Sequence, residues 1–204
     1  NPHRTTIVGA HAGKALNVGL DNTFLGAYAG RYLTQADGNV FLGTYAGYQT
    51  VDVDNAVIIG YQAGYSNMTA DADGTVAIGY AAGKDITSAQ RSVLVGHEAG
   101  TNISTSDDNT AIGYNAMHGN DSTATTGTGR NTAIGSSALY AITTGTQNVA
   151  IGGSAGSTLT TTSDTILIGH NAGLAINHTD AGGTVAIGYE AGKSITSGAG
   201  NTAI

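Results

Sequence analysis

The stretch Asn148-Val-Ala-Ile-Gly-Gly-Ser-Ala-Gly156 recurs with small changes along the whole of this 204-residue chain. In each copy a glycine closes a short apolar run, and an alanine follows three residues later. Self-similarity at a short fixed period is the sequence signature of a repeat protein. Most copies are 17 residues long, and their closing glycines are Gly9, Gly26, Gly43, Gly60, Gly79, Gly96, Gly113, Gly135, Gly152, Gly169 and Gly188.

Three copies are longer than the others, two by two residues and one by five. The extra residues lie near Asp71–Gly74, near Asp180–Gly183 and around Ser122–Gly129. All three insertions precede the apolar run, where a surface loop would tolerate them. Because Asn201–Ile204 opens a further copy, we expect a single repeat domain spanning 1–204 that belongs to a longer fibre.

The run before each closing glycine is apolar at consecutive positions. The last residue is always aliphatic, and the residue two before it is mostly Val, Ile or Thr. Strand side chains alternate between faces, and we expect these two columns to line the inside of the coil. The middle column is also apolar, and a strand apolar on both faces needs cover on both. We therefore expect the middle column to pack between chains, with its large members at Phe24, Phe41, Ile58, Leu94 and Leu167.

The remaining positions of each copy predict turns and one further core residue. The alanine after the closing glycine indicates a tight corner, and the next residue is glycine in all copies except those with Met117 and Leu139. That glycine fits a turn with positive φ. A Leu or Ile seven residues after the closing glycine predicts a second, shorter strand. Asparagine starts the strand in six copies, where stacked side chains can form a hydrogen-bonded ladder.

Together these columns predict an all-β fold, a parallel β-solenoid or β-roll of about eleven coils of 17 residues. A lone copy cannot bury its apolar side, whereas stacked copies share one core. At a rise of roughly 4.8 Å per coil, the rod would be about 50 Å long. The second apolar face predicts assembly of parallel chains, as a homotrimer.

The units Asn109-Thr-Ala-Ile-Gly-Tyr-Asn-Ala116 and Asn148–Gly156 resemble the Ala-Ile-Gly/Ala-Gly repeats of phage tail-fibre proteins. They are also similar to the head repeats of trimeric autotransporter adhesins. The 17-residue unit with Thr143-Thr-Gly145 at its corner looks more like the phage version. Both resemblances imply a homotrimeric extracellular fibre, in a virion or on a cell surface, that contacts a host surface glycan or protein receptor.

Composition argues against several other kinds of protein. The net charge is −7 with only seven Lys and Arg, which disfavours a nucleic-acid surface. No apolar run approaches the roughly 18 residues of a membrane span, so we expect no membrane insertion. The stretch Gly188–Ser194 has three residues between its glycines, where a phosphate-binding loop has four, and we expect no cofactor.

Candidate catalytic and metal-binding groups are sparse. The two glutamates, Glu98 and Glu190, lie five copies apart, whereas glycosidase carboxylates lie roughly 5–10 Å apart. We therefore expect no catalytic residues, and a glycan-degrading tailspike is the less favoured alternative. Asp52–Asn55 and Asp71–Gly74 leave calcium binding open. The six histidines form no close pair at ligand spacing, so we expect no metal site. An interrupted threonine column makes an ice-binding solenoid a further, weaker alternative.

The tyrosines are the candidate binding residues. Tyr61, Tyr80, Tyr114 and Tyr189 each follow a closing glycine directly. Exposed tyrosine rows can bind glycans or proteins by stacking and by hydroxyl hydrogen bonds; alternatively, they cover the edge of the coil. The sequence thus favours a structural and interaction segment of a trimeric phage tail fibre involved in host attachment, with a bacterial adhesin head as the alternative.

Overall fold

Twelve short strands stack in chain order into one parallel sheet. The computed structural model describes residues 4–119 and 129–204. The strands are β1 Thr6–Val8, β2 Thr23–Leu25, β3 Val40–Leu42, β4 Val57–Ile59, β5 Val76–Ile78, β6 Val93–Val95, β7 Thr110–Ile112, β8 Thr132–Ile134, β9 Val149–Ile151, β10 Ile166–Ile168, β11 Val185–Ile187 and β12 Thr202–Ala203. Each copy forms one coil, so the predicted all-β parallel solenoid of about eleven coils is confirmed.

Equivalent residues of successive copies lie side by side along the rod. In the β2–β3 pair, Phe24 lies beside Phe41 and Leu25 beside Leu42. The pairing continues beyond the strands, since Gly30 N–H donates to the Ala46 carbonyl at 2.9 Å. A 17-residue repeat therefore satisfies most backbone groups through the coil above and the coil below, as buried backbone requires.

The two faces of the strands are the reverse of the sequence-based expectation. Phe24, Phe41, Ile58, Leu94 and Leu167 are fully buried inside the coil of their own chain, so their assignment to chain–chain packing is wrong. The flanking columns, predicted to line the interior, point outward instead. A narrow coil has room for one strand side chain per turn, and that place is taken by the middle residue.

The rest of the core comes from the turns. The alanines at the corner are buried in all copies except the last, where Ala191 is partly buried. Leu33, Ile86 and Leu159, seven residues after their closing glycines, are fully buried, as predicted. The second strand is not formed in the described residues. It is reduced to two isolated parallel bridges, joining Gln35 to Val18 and to Asp52.

Positive φ angles make the turns. The predicted turn glycine has φ of +59° at Gly47 and +60° at Gly100. Met117 and Leu139, the two exceptions, adopt the same conformation with φ of 50° and 48°. In both of their copies the middle strand residue is alanine, Ala111 or Ala133, which leaves space for a larger turn side chain.

The predicted asparagine ladder is present and buried. Asn39 Nδ2 donates to Asn22 Oδ1 at 3.1 Å, and Asn148 Nδ2 donates to Asn131 Oδ1 at 3.1 Å. Each amide also donates to a backbone carbonyl, so the buried polar groups are paired. In the copies that carry it, the asparagine ties the start of the strand to the neighbouring coil, as Asn39 Oδ1 does for Ala56 N–H.

Two of the three insertions form single 3₁₀ turns before their strands, at Ala70–Ala72 and Thr179–Ala181. They leave the register of β5 and β11 with their neighbours unchanged. The third insertion, predicted around Ser122–Gly129, lies almost wholly outside the described residues.

Candidate functional site

The outer face of the sheet is an apolar surface that runs along the rod. It is formed by the first and last residues of the strands, and its aliphatic side chains are half-buried or exposed. Leu25 is 46% exposed and Ile187 is 38% exposed. No Lys, Arg, Asp or Glu occurs in any of the twelve strands. We call this surface the apolar face.

Three of the four candidate tyrosines lie in one ladder of stacked rings beside the apolar face. Tyr61 stacks on Tyr80 with ring centroids 5.7 Å apart, Tyr80 on His97 at 4.7 Å, and His97 on Tyr114 at 5.3 Å. Tyr189 lies apart from them and stacks on His170 at 5.7 Å. The structure therefore brings Tyr61, Tyr80 and Tyr114 together and leaves Tyr189 separate.

The stacking limits what this ladder can bind. A ring that lies between two neighbours uses both of its faces within the chain, so only its edge and hydroxyl remain available. Tyr80 is in this position, and it is 46% exposed. Tyr80 thus offers its hydroxyl group and ring edge, whereas Tyr114 and Tyr189 each stack on one neighbour only among the described residues.

A second aromatic group was not singled out from the sequence. Six residues on coils two to four form it, and we call it the Tyr–Arg cluster: Tyr28, Arg31, Tyr32, Tyr45, Tyr48 and Tyr65. Tyr28 stacks on Tyr45 at 5.1 Å, and Tyr48 stacks on Tyr65 at 5.1 Å. The Arg31 guanidinium lies over Tyr28 at 5.2 Å and over Tyr32 at 5.1 Å, in cation–π geometry.

The contacts within the Tyr–Arg cluster shift the pKa of one of its tyrosines. A hydrogen bond with Tyr32 raises the pKa of the Tyr48 phenol, and burial raises it further. Arg31 Nη1 donates to the Tyr48 hydroxyl at 3.4 Å, while its buried Nε has no partner in the described residues. The cluster could have been predicted from the sequence. Tyr28 and Tyr45 are 17 residues apart, as are Tyr48 and Tyr65, and this spacing places the members of each pair on adjacent coils.

The aspartates of the corner loops hold one coil to the next. Asp54 Oδ1 accepts a hydrogen bond from Asp37 N–H at 2.7 Å, and Asp73 Oδ1 accepts one from Asp54 N–H at 2.8 Å. Asp37 Oδ1 likewise accepts a hydrogen bond from Leu20 N–H. Within the described ranges, no group of three or more His, Cys, Asp or Glu side chains is placed to hold a metal ion.

Two histidines that are distant in sequence meet at one glutamate. His97 Nδ1 and His118 Nε2 lie 3.7 and 3.9 Å from the same oxygen, Glu98 Oε2. Sequence spacing did not indicate this contact, which arises because the 17-residue coil and the turn place neighbouring copies side by side. Both distances exceed a hydrogen bond.

The other glutamate, Glu190, pairs with the lysine of the stretch that resembles a phosphate loop. Lys193 Nζ donates to Glu190 Oε1 at 2.8 Å, which lowers the pKa of the Glu190 carboxyl. Five coils separate Glu98 from Glu190, or about 24 Å at the rise of a parallel sheet. These two carboxylates are therefore too far apart for a glycosidase pair.

The corner threonines donate to protein carbonyls. Thr34 Oγ1 donates to Val51 O at 3.1 Å, and Thr143 Oγ1 donates to Thr160 O at 3.0 Å. Their hydroxyl protons are used between coils, so they cannot be donated to an ordered layer of water. This arrangement gives no support to the ice-binding alternative.

Asp108 accepts two hydrogen bonds from one arginine at the corner. Arg91 Nε donates to Asp108 Oδ1 at 2.7 Å and Nη2 donates to Oδ2 at 3.2 Å, which lowers the pKa of the Asp108 carboxyl. We expect Arg91→Gln to raise that pKa toward the ordinary aspartate value, as measured by NMR titration of the side-chain carboxyl. Asp164, which has no ion pair in the described residues, serves as an internal control. An unchanged Asp108 titration would contradict the pairing.

Comparison with known proteins gives no relative: no protein-family model, no curated protein and no solved structure matches this chain. Among the helices of the described residues, none is long and apolar enough to cross a membrane. Function must therefore be argued from the surfaces described above.

Proposed function

We propose that this chain is a structural segment of an extracellular trimeric fibre, a phage tail fibre that takes part in host attachment. The observation that carries the proposal is the apolar face, which is left uncovered on every coil of a single chain. The number three and the phage setting come from the resemblance of the repeat, while the face itself supports self-association of parallel chains.

The size of the apolar face is that of an interaction surface. Strands of three residues are about 10 Å wide, and twelve of them span about 50 Å, which gives a footprint of about 500 Å². Contiguous apolar patches on soluble monomers rarely exceed a few hundred Å². Contact of this aliphatic area with water is unfavourable, so covering it with another surface lowers the free energy.

The occupant that best fits this face is another copy of the chain. The face has no charge, so it offers no complement to a charged partner. It is also corrugated, because equivalent side chains repeat once per coil along the rod. A parallel copy has the same repeat and can interdigitate along the whole length, as packed protein interiors do.

We expect residues 1–204 to sediment with the mass of three chains. Replacing Ile134 and Ile151 together with glutamate should yield folded single chains, because association would bury two carboxylates per chain without partners. Ile134 and Ile151 are 36% and 37% exposed in the single chain, so the coil itself can accept the change. Analytical ultracentrifugation measures the mass, and circular dichroism shows whether the chain remains folded.

The matched control places the same two charges elsewhere on the same two coils. Thr144 and Thr161 are exposed and equally spaced, but they lie at the corner outside the sheet. Thr144→Glu with Thr161→Glu should leave three chains associated. A wild-type chain that sediments alone, or an Ile134→Glu/Ile151→Glu variant that still forms trimers, would refute the proposal.

A further inference from the structure

The Tyr–Arg cluster belongs to a cationic surface on an acidic rod. Of the seven Lys and Arg residues, four form ion pairs with Asp or Glu in the described residues. The three without an acidic partner are Lys14, Arg31 and Lys84. Lys14 and Arg31 occupy the same position on adjacent coils, because Ala15 N–H donates to the Arg31 carbonyl at 3.1 Å.

From this surface we infer a binding site for a carboxylated sugar of a surface glycan. This inference deepens the proposed attachment role and rests on it. Lys14, Arg31, Tyr48 and Tyr65 follow one another at the same position of coils one to four. They form a strip about 14 Å long at the rise of a parallel sheet, with two cations followed by two rings, and Lys84 takes the same position on coil five, beyond the rings.

The cationic end selects a carboxylate. Arg31 Nη1 makes one side-chain hydrogen bond in the described residues, to Tyr48, and Nε is buried, so three of the five donors remain, on Nη1 and Nη2. A planar carboxylate can accept two parallel hydrogen bonds from such a group. Lys14 is exposed beside it and adds a second positive charge.

The acidic rod limits how much charge the ligand can carry. The chain has a net charge of −7, which opposes a polyanion at long range. One acidic sugar, held at short range by two cations, avoids most of that repulsion. The site therefore fits a glycan with an isolated acidic residue better than a nucleic acid or a heavily sulfated chain.

The aromatic end favours a sugar over a peptide. Tyr28 and Tyr45 stack with an interplanar angle of 7°, and Tyr48 and Tyr65 with one of 24°, so each ring uses one face within the cluster and offers a ligand mainly its edge and hydroxyl. The hydroxyls donate and accept hydrogen bonds, as sugar hydroxyls do. Backbone groups beneath the strip are paired between coils, for example Gln49 N–H with the Tyr65 carbonyl at 3.0 Å, which leaves no strand edge for a peptide to extend.

The strip stays open in the proposed trimer because it lies after the first turn, outside the strands that form the apolar face. Ligand binding and chain association therefore use different residues and can be measured separately on one sample. Loss of association without loss of binding would count against the fibre proposal alone.

The test is titration calorimetry of the purified chain with sialyllactose and with a disaccharide that contains one glucuronic acid, each carrying one carboxylate, and with lactose as the neutral counterpart of sialyllactose. We expect binding of one or both acidic sugars and none of lactose. The acidic sugar that binds shows whether the natural ligand carries a sialic acid or a uronic acid. Arg31→Gln should weaken binding about tenfold or more, the effect of removing a charge-assisted bidentate contact, and Lys14→Gln should weaken it less.

Lys193→Gln is the matched control, since Lys193 has the same position on coil eleven, seven coils away from Tyr65, and pairs there with Glu190. Its affinity should equal that of the wild type. Failure of both acidic sugars to bind, or unchanged affinity in folded Arg31→Gln and Lys14→Gln variants, would overturn the inference. Equal binding of a hexaglutamate peptide at the same site would overturn the assignment to a sugar.

Discussion

Replacing Gly169 with alanine is expected to lower the free energy of unfolding by about 2–6 kcal/mol, the sum of backbone strain and overpacking. Gly169 has φ of +133°, a conformation that L side chains rarely adopt. A Cβ placed there would overlap the carbonyl oxygen of Gly188 in the next coil. The neighbouring atom belongs to the backbone, so relief requires the two coils to separate. Urea unfolding followed by circular dichroism measures the change.

Gly188→Ala separates the effect of backbone strain from the effect of overpacking between coils. Its φ is +131°, almost the same as that of Gly169, but the atom nearest to an added Cβ is Ala191 Cβ at 3.8 Å. This variant should therefore show only the backbone strain, about 1–3 kcal/mol. If the two variants lost the same stability, close coil packing would not be the reason for glycine at the end of each strand.

Phe24→Ala is expected to destabilise the single chain by about 3–5 kcal/mol, as truncation of a buried aromatic does. Phe24 is fully buried and stacks on Phe41 at 5.2 Å, so its removal leaves a cavity across two coils. The measurement is urea unfolding in the Ile134→Glu/Ile151→Glu background, in which the chain is expected to be single. Stability then reports the coil interior without a contribution from assembly.

Leu25→Ala in the same background is the control, because Leu25 is the next residue of the same strand and points outward. Its truncation should change stability by about 0.5 kcal/mol or less, as at most surface sites. The opposite ranking, with Leu25→Ala the more damaging, would contradict the orientation of the strands and restore the sequence-based assignment of the two faces.

The sequence predicted those parts of the fold that recur at the same position of every 17-residue repeat. The 17-residue repeat, the positive-φ turn, the asparagine ladder and the buried Leu or Ile after the turn are all present. It did not predict which face of the strand is inside, because both faces are apolar and alternation alone does not distinguish them. The middle column is often alanine, which looks too small for a core until the turn residues are considered.

A volume argument could have corrected this error. Met117 and Leu139 replace the turn glycine in the two copies whose middle strand residues are Ala111 and Ala133. A Cβ on Gly47 would instead overlap the ring of Phe41. The middle residue of the strand and the turn residue therefore fill the same space inside the coil. Their side chains face each other, which places the middle column of the strand in the interior.

The candidate site was predicted in part. Tyr61, Tyr80 and Tyr114 were chosen because they share a position in the repeat, and the ladder of stacked rings follows from that. The Tyr–Arg cluster was missed because residues two and five positions after the closing glycine, together with Tyr32 at the sixth, meet only across the turn. The contact of Glu98 with His118 joins the same two positions on adjacent coils.

The hydrogen bonds between coils have a mechanical consequence. They point along the rod, so a pull on its ends loads all the bonds of a junction together, and the weakest junction gives way first. A copy inside the rod is held by two junctions, so rupture of both releases its roughly 17 residues, which can extend to nearly 60 Å. The rod would therefore yield in discrete steps under tension and absorb work before the fibre breaks.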